Sequence, residues 1–93
     1  MNIQQKDNGK KGSFYVEEAG VLLAEMTYVW SGNDKFIIDH TEVSAALEGK
    51  GIGKQLVQKA VEFAREKKVK IMPLCPFAKR VFDKVEVYQD VLF

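Results

Sequence analysis

The sequence predicts an α/β fold of the α+β kind, a mixed sheet whose elements run β-β-β-β-α-β-α, an antiparallel meander plus one parallel crossover pair. Three observations carry this. Apolar side chains alternate with period two through "VLLAEMTYVW". The period becomes helical from Gly51 to about Lys67. A short apolar run, "VKIMPL", then follows and is ended by Pro73. A strand, a helix and a strand in succession call for a crossover, right-handed when the two strands pair in parallel.

Each element has its own signal. Asn8-Gly9 is a favoured type I′ hairpin pair, which predicts strands over about 2–6 and 12–17. "EEAG" turns the chain into the third strand, where Leu22, Ala24, Met26, Tyr28 and Trp30 share one face. "SGND" leads into "KFIIDHTEV", β-branched and aromatic enough for a fourth strand. Ile52, Leu56, Val57, Ala60, Phe63 and Ala64 form the apolar stripe of the helix, and Lys67-Lys68 suit the negative end of its dipole. "VKIMPL" reads as a central strand, and "PFAKRVFDK" starts with proline in the first helical turn. In the tail "VYQDVLF", Tyr88, Val91 and Leu92 are expected to pack on the sheet edge.

Ninety-three residues without repeat or linker make one domain, 1–93. A net charge of +1 argues against a dedicated nucleic-acid binder. One cysteine rules out an internal disulfide, and one cysteine with one histidine disfavours a protein-only zinc site, so no metal is expected. No apolar run reaches the roughly 18 residues of a membrane span. The polar start "MNIQQKDNGKKG" is not a signal peptide, and a cytoplasmic monomer is the default expectation.

The stretch "EGKGIGKQ", Glu48 to Gln55, lies between a strand and a helix. A helix N-terminus offers unpaired amides and partial positive charge to an anion, and glycines let the backbone approach it. A Walker loop would need glycine at Glu48 and Ser or Thr at Gln55. A Rossmann fingerprint counted from Gly49 would need glycine at Lys54, after the first strand of its unit. Both are excluded. A Gly-rich turn that merely lets the helix pack is the bland alternative.

The wider segment "VSAALEGKGIGKQLVQKAVEFAREK" resembles the acetyl-coenzyme A binding motif of the GNAT superfamily of N-acetyltransferases, Gln/Arg-x-x-Gly-x-Gly/Ala. The resemblance is to its compact single-domain members, the YjdJ type, and it implies a GNAT-like mixed sheet. It carries the pyrophosphate of the coenzyme onto Gly49, Lys50, Gly51, Ile52, Gly53 and Lys54, with Val43 as the strand residue before the loop. Glu48 departs from the motif, since a carboxylate cannot donate to a phosphate, and Ala45 replaces a proline common there. Larger relatives carry a tyrosine acid in the last helix; here Phe82 stands in its place.

Cys75 follows a strand at the start of a proline-initiated helix, where the dipole favours a thiolate. The resemblance implies a cysteine near the thioester, accepting acetyl itself or donating a proton to the departing coenzyme. A small buried core residue is the bland reading. His40, two residues before Glu42 and on the strand face of Phe36 and Ile38, could deprotonate the acceptor amine or activate Cys75, or be a semi-buried residue without a role. Asp39 and Glu42 are alternative bases. The expected activity is therefore acetyl transfer from acetyl-coenzyme A to an amine, a small molecule or a protein lysine. A non-catalytic acyl-coenzyme A binder and a small protein-interaction domain are the alternatives.

Overall fold

The computed structural model describes residues 2–93. Its strands are β1 (Gln4–Asp7), β2 (Lys11–Glu18), β3 (Val21–Ser31), β4 (Lys35–Val43) and β5 (Lys70–Pro73). The helices are α1 (Ile52–Lys67) and α2 (Pro76–Lys84), with short 3-10 turns at Ala45–Leu47 and Glu86–Val91. The sheet order is β1-β2-β3-β4-β5; the first three pairings are antiparallel and β4 pairs β5 in parallel. The predicted element order and the parallel pair are both present.

One expectation is corrected. β5 is an edge strand, not a central one, because the crossover sets it outside β4 and only the tail is left to follow it. The tail does so sparingly. Ile71 and Leu92 form a single parallel bridge, and the Phe93 amide donates to the Ile71 carbonyl at 2.8 Å. Arg65 clasps the same tail through a two-pronged bond to Asp90, both contacts at 2.9 Å. The exposed edge of β5 is thus partly covered against pairing with other chains.

The core lies on one face of the sheet. Phe14, Met26, Tyr28, Phe36 and Ile38 meet Leu56, Val57, Ala60 and Val61 of α1 there, and Ala78, Val81 and Phe82 of α2 join the same cluster. The alternation read in β3 holds for Ala24, Met26 and Tyr28, all buried. Leu22, beyond a bulge between Val16 and Glu17, is exposed.

A second bulge decides where the functional side chains point. Tyr28 faces Ile38, but Thr27 faces His40, so Asp39 is an extra residue in β4. A one-residue insertion sends every following side chain to the opposite face. Hence Phe36 and Ile38 are in the core while His40 is exposed beside Thr27, and Thr41, opposite Met26, turns back to the helix side. The expectation that His40 shares the face of Phe36 and Ile38 is corrected accordingly.

The front hairpin is tied to the core through Asp7. Its Oδ2 accepts from the Tyr28 hydroxyl at 2.6 Å and from the Trp30 indole at 2.9 Å, and its Oδ1 accepts from the Gly9 amide at 2.7 Å. Burial pushes the Asp7 carboxyl up, but these donors outweigh it and the net shift is downward. A lowered folded-state pKa gives stability that is complete above the unfolded value near 4 and is lost as pH falls through the folded one. Asp7→Ala should cost about 1–3 kcal/mol in urea unfolding at neutral pH, because a bond to an ionised acceptor is removed and the Tyr28 hydroxyl loses its acceptor. The wild-type advantage should shrink at acid pH. An equal difference at pH 7 and pH 2.5 would contradict the account.

Candidate functional site

β4 and β5 part company at a definite point. Their pairing ends at Ile38 with Pro73. Beyond it the Leu74 and Cys75 amides both donate to the Ile38 carbonyl at 3.0 Å, and the chain turns into α2. Residues 39–43 of β4 continue along β3 alone. The gap so opened is flanked by the end of β4, the glycine loop and the start of α2.

The loop leaves β4 after Val43, which is half-buried against the core. Ser44 caps the first 3-10 turn, its Oγ accepting from the Ala46 amide at 3.3 Å. The Lys50 amide is engaged by the Leu47 carbonyl at 3.3 Å, so Lys50 has only its ammonium to offer a ligand. Gly49 and Gly51 adopt φ of 78° and 72°, a backbone region that favours glycine. Gly51 is the N-cap of α1 and brings no side chain to its open end. The first main-chain bond runs from the Gln55 amide to the Gly51 carbonyl at 3.1 Å. The amides of Ile52, Gly53 and Lys54 therefore have no partner among the described residues, and the first turn carries no acidic side chain. Such an end stabilises an anion.

Gly53 has a further reason to be glycine. A Cβ there would lie 2.5 Å from Cζ of Phe77, so the missing side chain makes room for α2 to pack on α1. The two helix starts are thereby locked together.

Cys75 is the N-cap of α2, 5% exposed, with Pro76 in the first turn. Its thiol donates to Thr41 Oγ1 at 3.4 Å. The helix amides point at the sulfur without closing a capping bond to it. Burial pushes the thiol up, but the Thr41 hydroxyl, the Ala78 and Phe77 amides and the amide of Thr41 more than offset it, and the thiol lies below its ordinary value. In the thiolate form the Thr41 hydroxyl turns to donate.

His40 lies on the other face of β4, with Nε2 3.3 Å from Glu42 Oε1 and its side chain 64% exposed. It does not meet Cys75. Asp39 on the same stretch accepts from Thr27 Oγ1 at 2.6 Å. Phe82, in place of an acid, is a core residue packed edge-on to Tyr88 at 5.9 Å between ring centroids. The residue that does meet the thiol, Thr41, was not among the sequence candidates; only the position of the bulge could have pointed to it.

Among the described residues no group of three or more His, Cys, Asp or Glu could hold a metal ion, and no helix is long and apolar enough to cross a membrane.

Residues 13–91 match the family model described as GCN5-related N-acetyl-transferase. No curated protein matches the chain. Among solved structures, the solution structure of a GCN5-like protein of Staphylococcus aureus is 42% identical with TM-score 0.75, covering 99% of this chain and 89% of its own. The ribosomal-protein-alanine N-acetyltransferase of Brucella melitensis biovar Abortus is 17% identical with TM-score 0.66, over 84% of this chain and 62% of its own. An acetyltransferase of Clostridium acetobutylicum crystallised with acetyl-CoA is 19% identical with TM-score 0.66, over 83% of this chain and 57% of its own. The last two are similar in fold, and this chain spans less than two thirds of either.

Proposed function

The chain belongs to the GCN5-related N-acetyltransferase family, and from that premise we propose that it moves acetyl from acetyl-coenzyme A to an amine by way of Cys75. One juxtaposition supports this most: three unpartnered amides at the start of α1 and a thiol of lowered pKa at the start of α2 flank the same gap in the sheet. The Ile52, Gly53 and Lys54 amides, with the Lys50 and Lys54 ammonium groups, fit a pyrophosphate. Gly49 and Gly51 shape the loop that presents them, and Val43 leads the strand into it. The unpaired stretch 39–43 of β4 offers an edge along which the pantetheine arm can lie.

The Cys75 thiolate attacks the thioester carbonyl carbon; its new C–S bond replaces the one to the coenzyme, which leaves as a thiolate and takes up a proton. The Thr41 hydroxyl and the helix amides hold the attacking sulfur. The amine nitrogen then attacks acetyl-Cys75, Cys75 leaves as thiolate, and the amine proton passes to a base. His40, with Glu42 beside its ring, lies on the face of β4 away from the thiol, so it takes a proton from the incoming ammonium and not from the nitrogen already at acetyl-Cys75. The thiol must be reduced for this step, which fits a cytoplasmic protein, and a monomer suffices.

Phe82 favours a second reading, a coenzyme binder without turnover, since it cannot donate a proton. Incubation with acetyl-coenzyme A and intact-mass measurement separate the two. The proposal expects a rise in Tm with ligand, as binding to the native state alone requires, and one acetyl adduct that Cys75→Ala lacks. A Tm rise with no adduct and no acetylated amine favours the binder; neither effect rejects the coenzyme site altogether.

A further inference from the structure

The sheet face opposite the helices carries a cavity of about 510 Å³, lined in part by Lys6, Ser13, Glu25, Thr27, Val29 and Asp39. Two features of it are costly to the fold on its own, and a third leaves an acceptor open. Ser13 is 1% exposed, and its Oγ has no hydrogen-bond partner among the described residues. It stands opposite Thr27 on this face, so the unpartnered hydroxyl lines the cavity beside the acidic side chains. Glu25 stands directly opposite Glu42 across the strands, a like-charged pair that works against pairing. Asp39 is held at the cavity wall by the bulge and by the Thr27 hydroxyl, which bonds one of its oxygens and leaves the other. An ammonium already visits the place: Lys6 Nζ lies 3.6 Å from Glu25 Oε2 and 5.0 Å from the centre of the Tyr15 ring, with its side chain 64% exposed.

We propose that this cavity binds a small primary ammonium between Glu25 and Asp39, with Ser13 Oγ as a further acceptor and Val29 against the carbon chain. Its role as the anchor for one end of an acceptor that carries a second amine rests on the acetyl-transfer reading. The same bulged stretch of β4 serves both sides: Asp39 lines the cavity and His40 stands opposite Thr27 on the same sheet face, while Ile38 and Thr41 hold the Cys75 amide and thiol. A charged amine bound here lies on the sheet face of His40, on the far side of β4 from the thiol.

The test is an amide NMR titration of the intact protein with 1,4-diaminobutane, with 1,4-butanediol as the uncharged control. The diamine should shift the Ser13, Glu25, Thr27 and Asp39 amides saturably, and the diol should not. Glu25→Gln and Asp39→Asn, which keep shape and remove charge, should each weaken binding about tenfold, the worth of a bond to an ionised partner. Lys6→Met should tighten it by freeing Glu25. Shifts that do not saturate, that the diol reproduces, or that neither carboxylate variant weakens overturn the proposal. A separate titration with coenzyme A reads the amides of residues 49–54. Its failure sinks the coenzyme reading and leaves the cavity standing, and the reverse outcome sinks the cavity alone.

Discussion

Cys75→Ala removes the nucleophile, so the acetyl-enzyme cannot form and acetyl transfer should fall by at least about 10⁴-fold while the fold stays intact. The fold survives because the Cys75 amide, not its thiol, makes the bond to Ile38, and alanine keeps that amide. A more discriminating variant is Thr41→Val. It preserves shape and removes the hydroxyl that lowers the thiol's pKa, so burial, which raises it, is less opposed. Alkylation of wild-type Cys75 should therefore rise with pH through a midpoint below the ordinary thiol value near 8.5, and in Thr41→Val the midpoint should move upward. Transfer at neutral pH should fall in parallel and recover in alkali. The stability sign follows from the same shift. A lowered folded-state pKa adds stability that grows as pH rises through it and is complete above the unfolded value. Superimposable alkylation profiles for the two proteins would mean that Thr41 does not tune the sulfur.

The fold was legible because its signals are local and periodic. Period two in β3 and helical period in α1 reflect burial on one face, and that face is covered in the fold. The glycine loop was legible for a similar reason: positive φ at Gly49 and Gly51 and an uncapped helix start are both written in residue type. What escaped was relational. Whether "VKIMPL" lies inside the sheet or at its edge depends on what pairs beyond it, and residues 85–93 carry no strand pattern that would settle this. The bulge at Asp39 is equally silent, since neither glycine nor proline marks it, yet it exchanges the places of His40 and Thr41. A candidate pair Cys75–His40 thus became Cys75–Thr41, and the histidine lies on the opposite face of β4.

Gly51 and Gly53, two residues apart in one motif, should fail in different ways. Gly51→Ala places a side chain in open space but at φ of 72°, and the left-handed region costs a β-carbon about 1–2 kcal/mol. Gly53→Ala meets no backbone restriction but drives Cβ into the Phe77 ring, and overpacking of this kind costs about 1–3 kcal/mol. In a domain of this size each kcal/mol is worth roughly 4–8 °C of Tm. The two losses overlap in size, so Tm alone does not separate them. Phe77 does. Its amide is one of those that pull the Cys75 thiol down, and a ring pushed aside at the second residue of α2 takes that amide with it. Gly53→Ala should consequently raise the pH midpoint of Cys75 alkylation, whereas Gly51→Ala should leave it in place and weaken coenzyme A binding instead. Phe77→Leu, which removes the clashing end of the ring, should restore part of the stability and of the alkylation midpoint in the Gly53→Ala background and do nothing for Gly51→Ala. Contacting residues are expected to couple in this way and separated ones to add. Additive Tm changes for the Gly53–Phe77 pair would refute the contact as the reason that glycine stands at the second residue of α1.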